Sequence, residues 1–221
     1  MMPRYMTHAC LQVHRPGPQC FPFTVASSPS AGRILIATKD IPALSLILKD
    51  QALASGPKLR SLLVCIECSA QVSPDKMVTC STCHLPFCGL RCRKTRRLHG
   101  AECKVVARAE GGVRKEELTN PESGVLGAVT VLRLLQHRQS WFLANLVDHV
   151  DDIKKTEDWP AFLAVVTFIR ERCGAREFSE EEILHALGVL SSNACNMSEF
   201  RARALFPTYS LMNHSCAANA R

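Results

Sequence analysis

CIECSAQVSPDKMVTCSTCHLPFCGLRCRKTRRLHGAEC, residues 65–103, is the stretch that decides how this chain folds. Its ligand-type side chains stand at Cys65, Cys68, Cys80, Cys83, Cys88, Cys92, His99 and Cys103. The spacing is two C-x2-C pairs eleven residues apart, then C-x3-C, then H-x3-C. A C-x2-C turn presents two thiolates at the separation a tetrahedral ion needs. Pairs four apart reach the same separation on adjacent helical turns. Eight such ligands suit two closed zinc sites. The segment has little apolar material beyond Val78, Leu85 and Phe87, so each ion would supply folding free energy on the order of 10 kcal/mol. Redox C-x-x-C chemistry, a disulfide knot and scattered buried thiols are the competing readings. The regular order of all eight ligands favours metal. His84 fits neither pair and is surplus.

The rest of the composition agrees with this setting. The chain has 221 residues, 47% hydrophobic and 21% charged, with twelve cysteines. That is the balance of a globular protein with a core of its own. The longest largely apolar run, Ala161–Ile169, has nine residues, about half of a membrane span. No secretory signal is visible, so a reducing cytoplasmic or nuclear location is expected. The formal charge of +7 hints at an acidic partner such as nucleic acid. Seven thiolates against two divalent ions leave −3, which brings +7 to +4. Part of the basic run Arg91, Arg93, Lys94, Arg96 and Arg97 offsets that thiolate charge. With no aromatic residues between the charges, this reading is preferred to a nucleic-acid patch.

Outward from the cysteine block, residues 1–30 carry no acidic residue and are expected to form an irregular arm. His8, Cys10, His14 and Cys20 in it are unassigned ligand types. Residues 31–64 hold short apolar runs, Ile34-Leu35-Ile36 and Leu46-Ile47-Leu48, expected as small strands and closed by a turn at Ser55-Gly56-Pro57. Residues 104–120 are a polar linker. Three helices are expected over 121–190. Asn120-Pro121 starts the first, with Val125, Leu126, Val129 and Leu132 on one face. Asp158 caps the second, with Phe162, Val165, Val166 and Ile169. A Ser179/Glu182 capping box opens the third, with Ile183, Leu187 and Leu190. Residues 191–221 end in Leu211-Met-Asn-His-Ser-Cys216.

In order, spacing and its closing H-x3-C, the cysteine block resembles a MYND zinc finger. That resemblance implies interleaved ligand sets: Cys65, Cys68, Cys88 and Cys92 on one ion; Cys80, Cys83, His99 and Cys103 on the other. MYND fingers bind protein partners, often proline-rich peptides, with DNA a lesser alternative. Gly32–Ile41 resembles the first strand of a SET domain, and Asn213-His-Ser-Cys216 with Asn219 resembles its N-H-S-C-x-x-N signature. Ser192-Asn193-Ala194 matches the segment before that signature. The chain thus resembles the SET-and-MYND (SMYD) family, and "GPK" at 56–58 and "FSEEEIL" at 178–184 resemble its arthropod SmydA-like branch.

The resemblance implies an α+β fold: small SET-type sheets with an inserted two-zinc finger at 65–103 and a helical insert at 121–190. It also implies transfer of a methyl group from S-adenosylmethionine to a lysine of a histone or other protein, with repression of transcription as one outcome. Arg33, Asn193, Ser210, Met212, Asn213 and His214 would hold the cofactor. Cys216 would join a third zinc site completed downstream. The family's glycine after Arg33 is Ile34 here, and its Pro-Gly turn is Ala43-Leu44. The tyrosine that orients the amine lies after N-H-S-C in the family. This sequence has only Tyr5 and Tyr209, both before it. No catalytic residue is therefore assigned. The chain is expected to lack the C-terminal part of SET, with activity weak or absent. The alternative is a non-catalytic zinc-finger adaptor or transcriptional co-regulator. Substrate lysine and oligomeric state are not legible.

Overall fold

A computed structural model describes residues 21–29, 32–197 and 201–220. The ligand-type residues of the arm, His8, Cys10, His14 and Cys20, lie outside them. Strand β1 (Phe23–Ser28) pairs antiparallel with β2 (Gly32–Ala37), Phe23 opposite Ala37 and Ser28 opposite Gly32. The end of the expected irregular arm is therefore a strand. Its Thr24-Val25 pair faces the β-branched and apolar run of β2, and such cross-strand pairs stabilise a ladder.

A second sheet, in the order β3-β7-β6, joins β3 (Ala54–Pro57), β7 (Ala202–Leu205) and β6 (Cys195–Met197), all antiparallel. Two strand expectations change here. Leu46-Ile47-Leu48 is irregular, and the expected turn at Ser55-Gly56-Pro57 is strand, with Gly56 opposite Arg203. The partner strand comes from the far end of the chain, so local turn chemistry loses to long-range pairing. Pro57 is tolerated because β3 is an edge strand.

Helices follow one another over the sheet. After α1 (Leu90–Thr95) and α2 (Ala101–Val106) come α3 (Lys115–Thr119), α4 (Val125–Leu135), α5 (Trp141–Ala144), α6 (Val150–Ile153), α7 (Trp159–Thr167) and α8 (Glu180–Asn193). Of the three expected helix starts only the one at Ser179 is capped as expected, and α4 begins after Gly124 at φ 74° rather than at Asn120. Asn120 accepts from Glu122 N–H ahead of a short 3₁₀ turn at Pro121–Ser123. Ser179 and Glu182 close a capping box at the start of α8, where Ile183, Leu187 and Leu190 are buried. Asp158 precedes α7 without a side-chain cap. Its carboxylate instead accepts from Arg60 Nη1 at 2.6 Å.

The one-sided stripe expected for α4 is corrected. Every residue of α4 is buried, as a helix apolar all round must be when it forms the middle of a core. It packs on β3, α2, α7 and α8. The expected linker at 104–120 is also corrected: Val105, Val106, Ala109, Val113 and Leu118 are buried in the same core. Apolar residues at three- and four-residue spacing override the polar average of that stretch. No helix among the described residues is long and apolar enough to cross a membrane.

Candidate metal centres and the N-H-S-C approach

The cysteine block folds on a two-residue hairpin, β4 (Val78–Thr79) against β5 (Pro86–Phe87). Each C-x2-C pair is a tight turn held by its own backbone. Cys65 N donates to Ala70 O at 2.8 Å and Ser69 N to Cys65 O at 2.8 Å. Cys80 N donates to Leu85 O at 2.9 Å and His84 N to Cys80 O at 3.0 Å. The residue after each second cysteine is left-handed, Ser69 at φ 61° and His84 at φ 60°. That is the place of the surplus His84: it closes a turn. The two later pairs straddle helix starts rather than lying within helices. Cys88 precedes α1 and Cys92 lies in it; His99 precedes α2 and Cys103 lies in it.

The eight side chains converge as two groups of four, Cys65–Cys68–Cys88–Cys92 and Cys80–Cys83–His99–Cys103. Within each group the ligand atoms lie within 4.8 Å of one another. The separations test the fit to zinc. With Zn–S near 2.3 Å, a tetrahedron requires S···S of about 3.8 Å, and with Zn–N near 2.0–2.1 Å it requires S···N of about 3.5–3.6 Å. The observed S···S distances are 3.6 Å for Cys68–Cys88, 3.5 Å for Cys88–Cys92 and 3.9 Å for Cys80–Cys103. His99 Nε2 lies 3.4 Å from Cys80 Sγ and 3.6 Å from Cys83 Sγ. Both donor sets fit a tetrahedral ion.

Electrostatics point the same way. Burial pushes Cys83, Cys88, Cys92 and Cys103 upward, Cys88 to about 11, and neighbouring sulfurs add to the rise. Against the same burial, Cys80 falls to about 6, because backbone N–H groups of Cys83 and Thr82 donate to it and the His99 ring stands in hydrogen-bond contact with it. Cys68 also falls, its burial outweighed by the Ala70 N–H and neighbouring thiols. Thiols this crowded cannot all ionise unless a cation stands between them. Of the basic run, Arg96 Nη2 reaches Cys80 Sγ at 3.1 Å, the charge compensation expected of it.

Sequence reasoning missed the support behind His99. Glu102 is fully buried. Its Oε1 accepts from His99 Nδ1 at 3.1 Å and from Arg133 Nη2 at 2.6 Å. Burial alone would raise Glu102, but the His99 hydrogen bond and the Arg133 charge hold its carboxyl at about 2. A carboxylate on Nδ1 turns the opposite nitrogen toward the ligand position, the usual second partner of a metal-bound histidine. An acidic residue three after the histidine was the available signal. Its arginine partner lies 31 residues further on. The finger is not free-standing either. Leu85, Phe87, Ile66 and Val72 share one core with Val105 and α4.

Two of the residues expected at the cofactor, Arg33 and Asn193, reach one loop between α5 and α6. Arg33 Nη2 donates to Asn145 O at 2.5 Å, and Asn193 Nδ2 donates to Val147 O at 2.8 Å and to Val189 O at 3.1 Å. Strand β2 also packs on the 3₁₀ turn Tyr209–Leu211, which carries Ser210, whose hydroxyl donates to Pro207 O at 3.0 Å. Asn193 is thus spent on the loop through its amide nitrogen. Met212 (36% exposed), Asn213 and His214 are at the surface, and His214 Nε2 lies 3.4 Å from Cys216 Sγ. The loop links Arg33 to Asn193, and strand β2, which carries Arg33, packs on the turn that carries Ser210. At the Ala43-Leu44 turn, Ser45 N donates to Pro42 O at 3.2 Å and Leu44 stands at φ 64°. That is the conformation a glycine holds at the third position of a type II turn.

Two known proteins align across this whole arrangement. The SET domain-containing protein SmydA-8, isoform A, of Drosophila melanogaster is 30% identical over 209 residues, covering 90% of this chain. The chain is related to the SET-domain SmydA proteins. Histone-lysine N-methyltransferase ASHR1 of Arabidopsis thaliana is 26% identical over 211 residues, covering 89% of this chain. No protein-family model matches the chain. The alignments cover 44% and 43% of those two proteins, so this SET-domain relative spans less than half the length of each. The relationship is to a methyltransferase family, and the mixed helices and small sheets agree with an α+β fold of the SET type.

Proposed function

We propose that this chain supplies a MYND-type finger with two structural zinc ions, and part of the cofactor side, of an S-adenosylmethionine-dependent protein-lysine methyltransferase. The observation that carries the reading is the pair of tetrahedral donor sets in a chain aligned over nine-tenths of its length with SET-domain relatives. The cofactor supplies an electrophilic methyl on a sulfonium. The protein's task is to align a neutral lysine amine with it from the opposite side. In this reading Ser210, Met212, Asn213 and His214 hold the cofactor, largely through backbone groups and the Asn213 amide. Arg33 lies at its entrance. Asn193 acts by fixing the 145–147 loop beside it. The substrate is a lysine of a histone or other protein, met in the nucleus or cytoplasm.

Calorimetry of S-adenosylmethionine into the zinc-loaded chain tests this. Binding of the cofactor by the zinc-loaded chain is expected. No heat of binding would count against the enzyme reading. The two donor sets also support a second reading, an adaptor whose finger recruits protein partners, including proline-rich peptides. For the adaptor, capture of such a peptide survives loss of residues 191–221 and fails on Cys80→Ser. Retention after Cys80→Ser would refute it.

A further inference from the structure

Glu102 and Arg133 form one unbroken polar line through the core. From the second cluster it runs His99 Nδ1 to Glu102 Oε1, then Arg133, whose Nε (3.0 Å) and Nη2 (2.6 Å) both reach that oxygen. The line ends on strand β3, where Arg133 Nη1 donates to Ser55 O at 2.7 Å. The second carboxylate oxygen takes Gly100 N–H at 3.2 Å, which ties it to the start of α2. Glu102 is 0% exposed and Arg133 7%, so water cannot replace any link without opening the core. The first cluster is built differently. Cys68 and Cys88 are exposed, and the carboxylate beside it, Glu67, accepts from the backbone N–H groups of Arg97 and Leu98 within the finger.

We infer that Glu102 and Arg133 are positioning residues that tie occupancy of the Cys80–Cys83–His99–Cys103 cluster to the order of strand β3, while occupancy of the other cluster stays a local matter of the finger. The inference rests on reading both clusters as zinc sites. A metal at Nε2 requires Nδ1 to carry the proton, and that proton holds the Glu102 carboxylate in place. The carboxylate in turn holds the planar guanidinium, and a rigid fork cannot keep both Glu102 and the Ser55 carbonyl if either moves. An empty second cluster frees the imidazole to rotate. The carboxylate then follows it, or stands alone with Arg133, and the contact to β3 loosens. Among the described residues the first cluster has no such side-chain line to the sheet.

The test uses the full zinc-loaded chain. Bound zinc is counted and its release to a chromogenic chelator timed. Amide hydrogen exchange is followed by mass spectrometry on peptides spanning Ala54–Pro57 and Val78–Phe87. The wild type should hold two zinc ions. Cys68→Ser should lose one and speed exchange only over Val78–Phe87. Cys83→Ser should lose one and also speed exchange over Ala54–Pro57 by about tenfold or more. Arg133→Met, which touches no ligand, should keep both ions, speed exchange at β3 and release one ion faster. Glu102→Gln should fall between Arg133→Met and the wild type. Equal loosening of β3 by Cys68→Ser and Cys83→Ser would overturn the inference. So would an Arg133→Met variant with unchanged β3 exchange and zinc release, a result that holds even if Cys83→Ser does not fold. A wild-type chain with fewer than two zinc ions overturns the zinc reading itself, and the inference with it.

Discussion

Replacing Gly56 by alanine should destabilise the chain far more than its modest strand position suggests. A Cβ built there stands 2.5 Å from Thr130 Oγ1 and 3.2 Å from Arg133 Nη1. The first distance is about 0.9 Å short of the 3.4 Å at which ordinary contact begins. Thr130 has no free direction to move. It is fully buried, and its hydroxyl donates to Pro57 O at 2.7 Å. Overpacking of this kind costs about 1–3 kcal/mol. Breaking the Thr130 bond in a dry interior adds about 1–3 kcal/mol. The lower unfolded-state entropy of alanine returns roughly 0.4–1 kcal/mol. The net cost is about 1–5.5 kcal/mol, a fall of roughly 2–20 °C in Tm for a domain this size. Urea unfolding of the zinc-loaded protein, read from the midpoint at constant slope, measures it. A Thr130→Ala background removes the obstructing hydroxyl, and there Gly56→Ala should cost less than about 1 kcal/mol. The reasoning is refuted if the cost is the same in both backgrounds, or if Gly56→Ala alone costs under about 0.5 kcal/mol.

Leu44→Gly should stabilise by about 0.5–1 kcal/mol, because a branched residue at φ 64° strains a turn that glycine adopts freely; an equal or lower unfolding midpoint would contradict this. Arg203 is 6% exposed, and its Nε and Nη2 lack partners among the described residues, so burial holds its pKa down to about 10. Arg203→Met should therefore be neutral or stabilising by up to roughly 3 kcal/mol, and a loss above about 1 kcal/mol would mean the guanidinium is engaged. Burial would raise Glu117, but the Arg114 N–H and Arg172 hold it below its ordinary 4.5. A depressed carboxyl contributes stability that is complete above the unfolded value and fades as pH falls below it. The wild type should thus exceed Glu117→Gln in Tm at pH 6, with the gap closing below about pH 4.5. Taking the difference cancels the release of zinc in acid, and a gap that persists at pH 3 would rule the linkage out.

The legible features were those in which a few neighbouring residues carry the whole signal. Two C-x2-C turns, a capping box at Ser179 and an N-cap at Asn120 are local, and each stands where its spacing demanded. The grouping of the eight ligands into two interleaved sets came from the family resemblance and agrees with the two clusters in the fold. Two of the errors were non-local. Ser55-Gly56-Pro57 carries turn residues, yet it is a strand because β7 arrives beside it from the other end of the chain. Residues 104–120 look polar on average, yet Val105, Val106 and Leu118 close the core over α4.

By itself the amino-acid order determined which side chains form the two candidate donor sets, where the last long helix begins and which relatives the chain has, because spacing over a few residues sets turn and helix geometry. Tertiary structure alone decided that Arg133 reaches both Glu102 and Ser55, links spanning 31 and 78 positions. Such partners have no mark in the sequence, since a buried carboxylate and a buried guanidinium acquire meaning only when packing removes the water that would otherwise satisfy each alone.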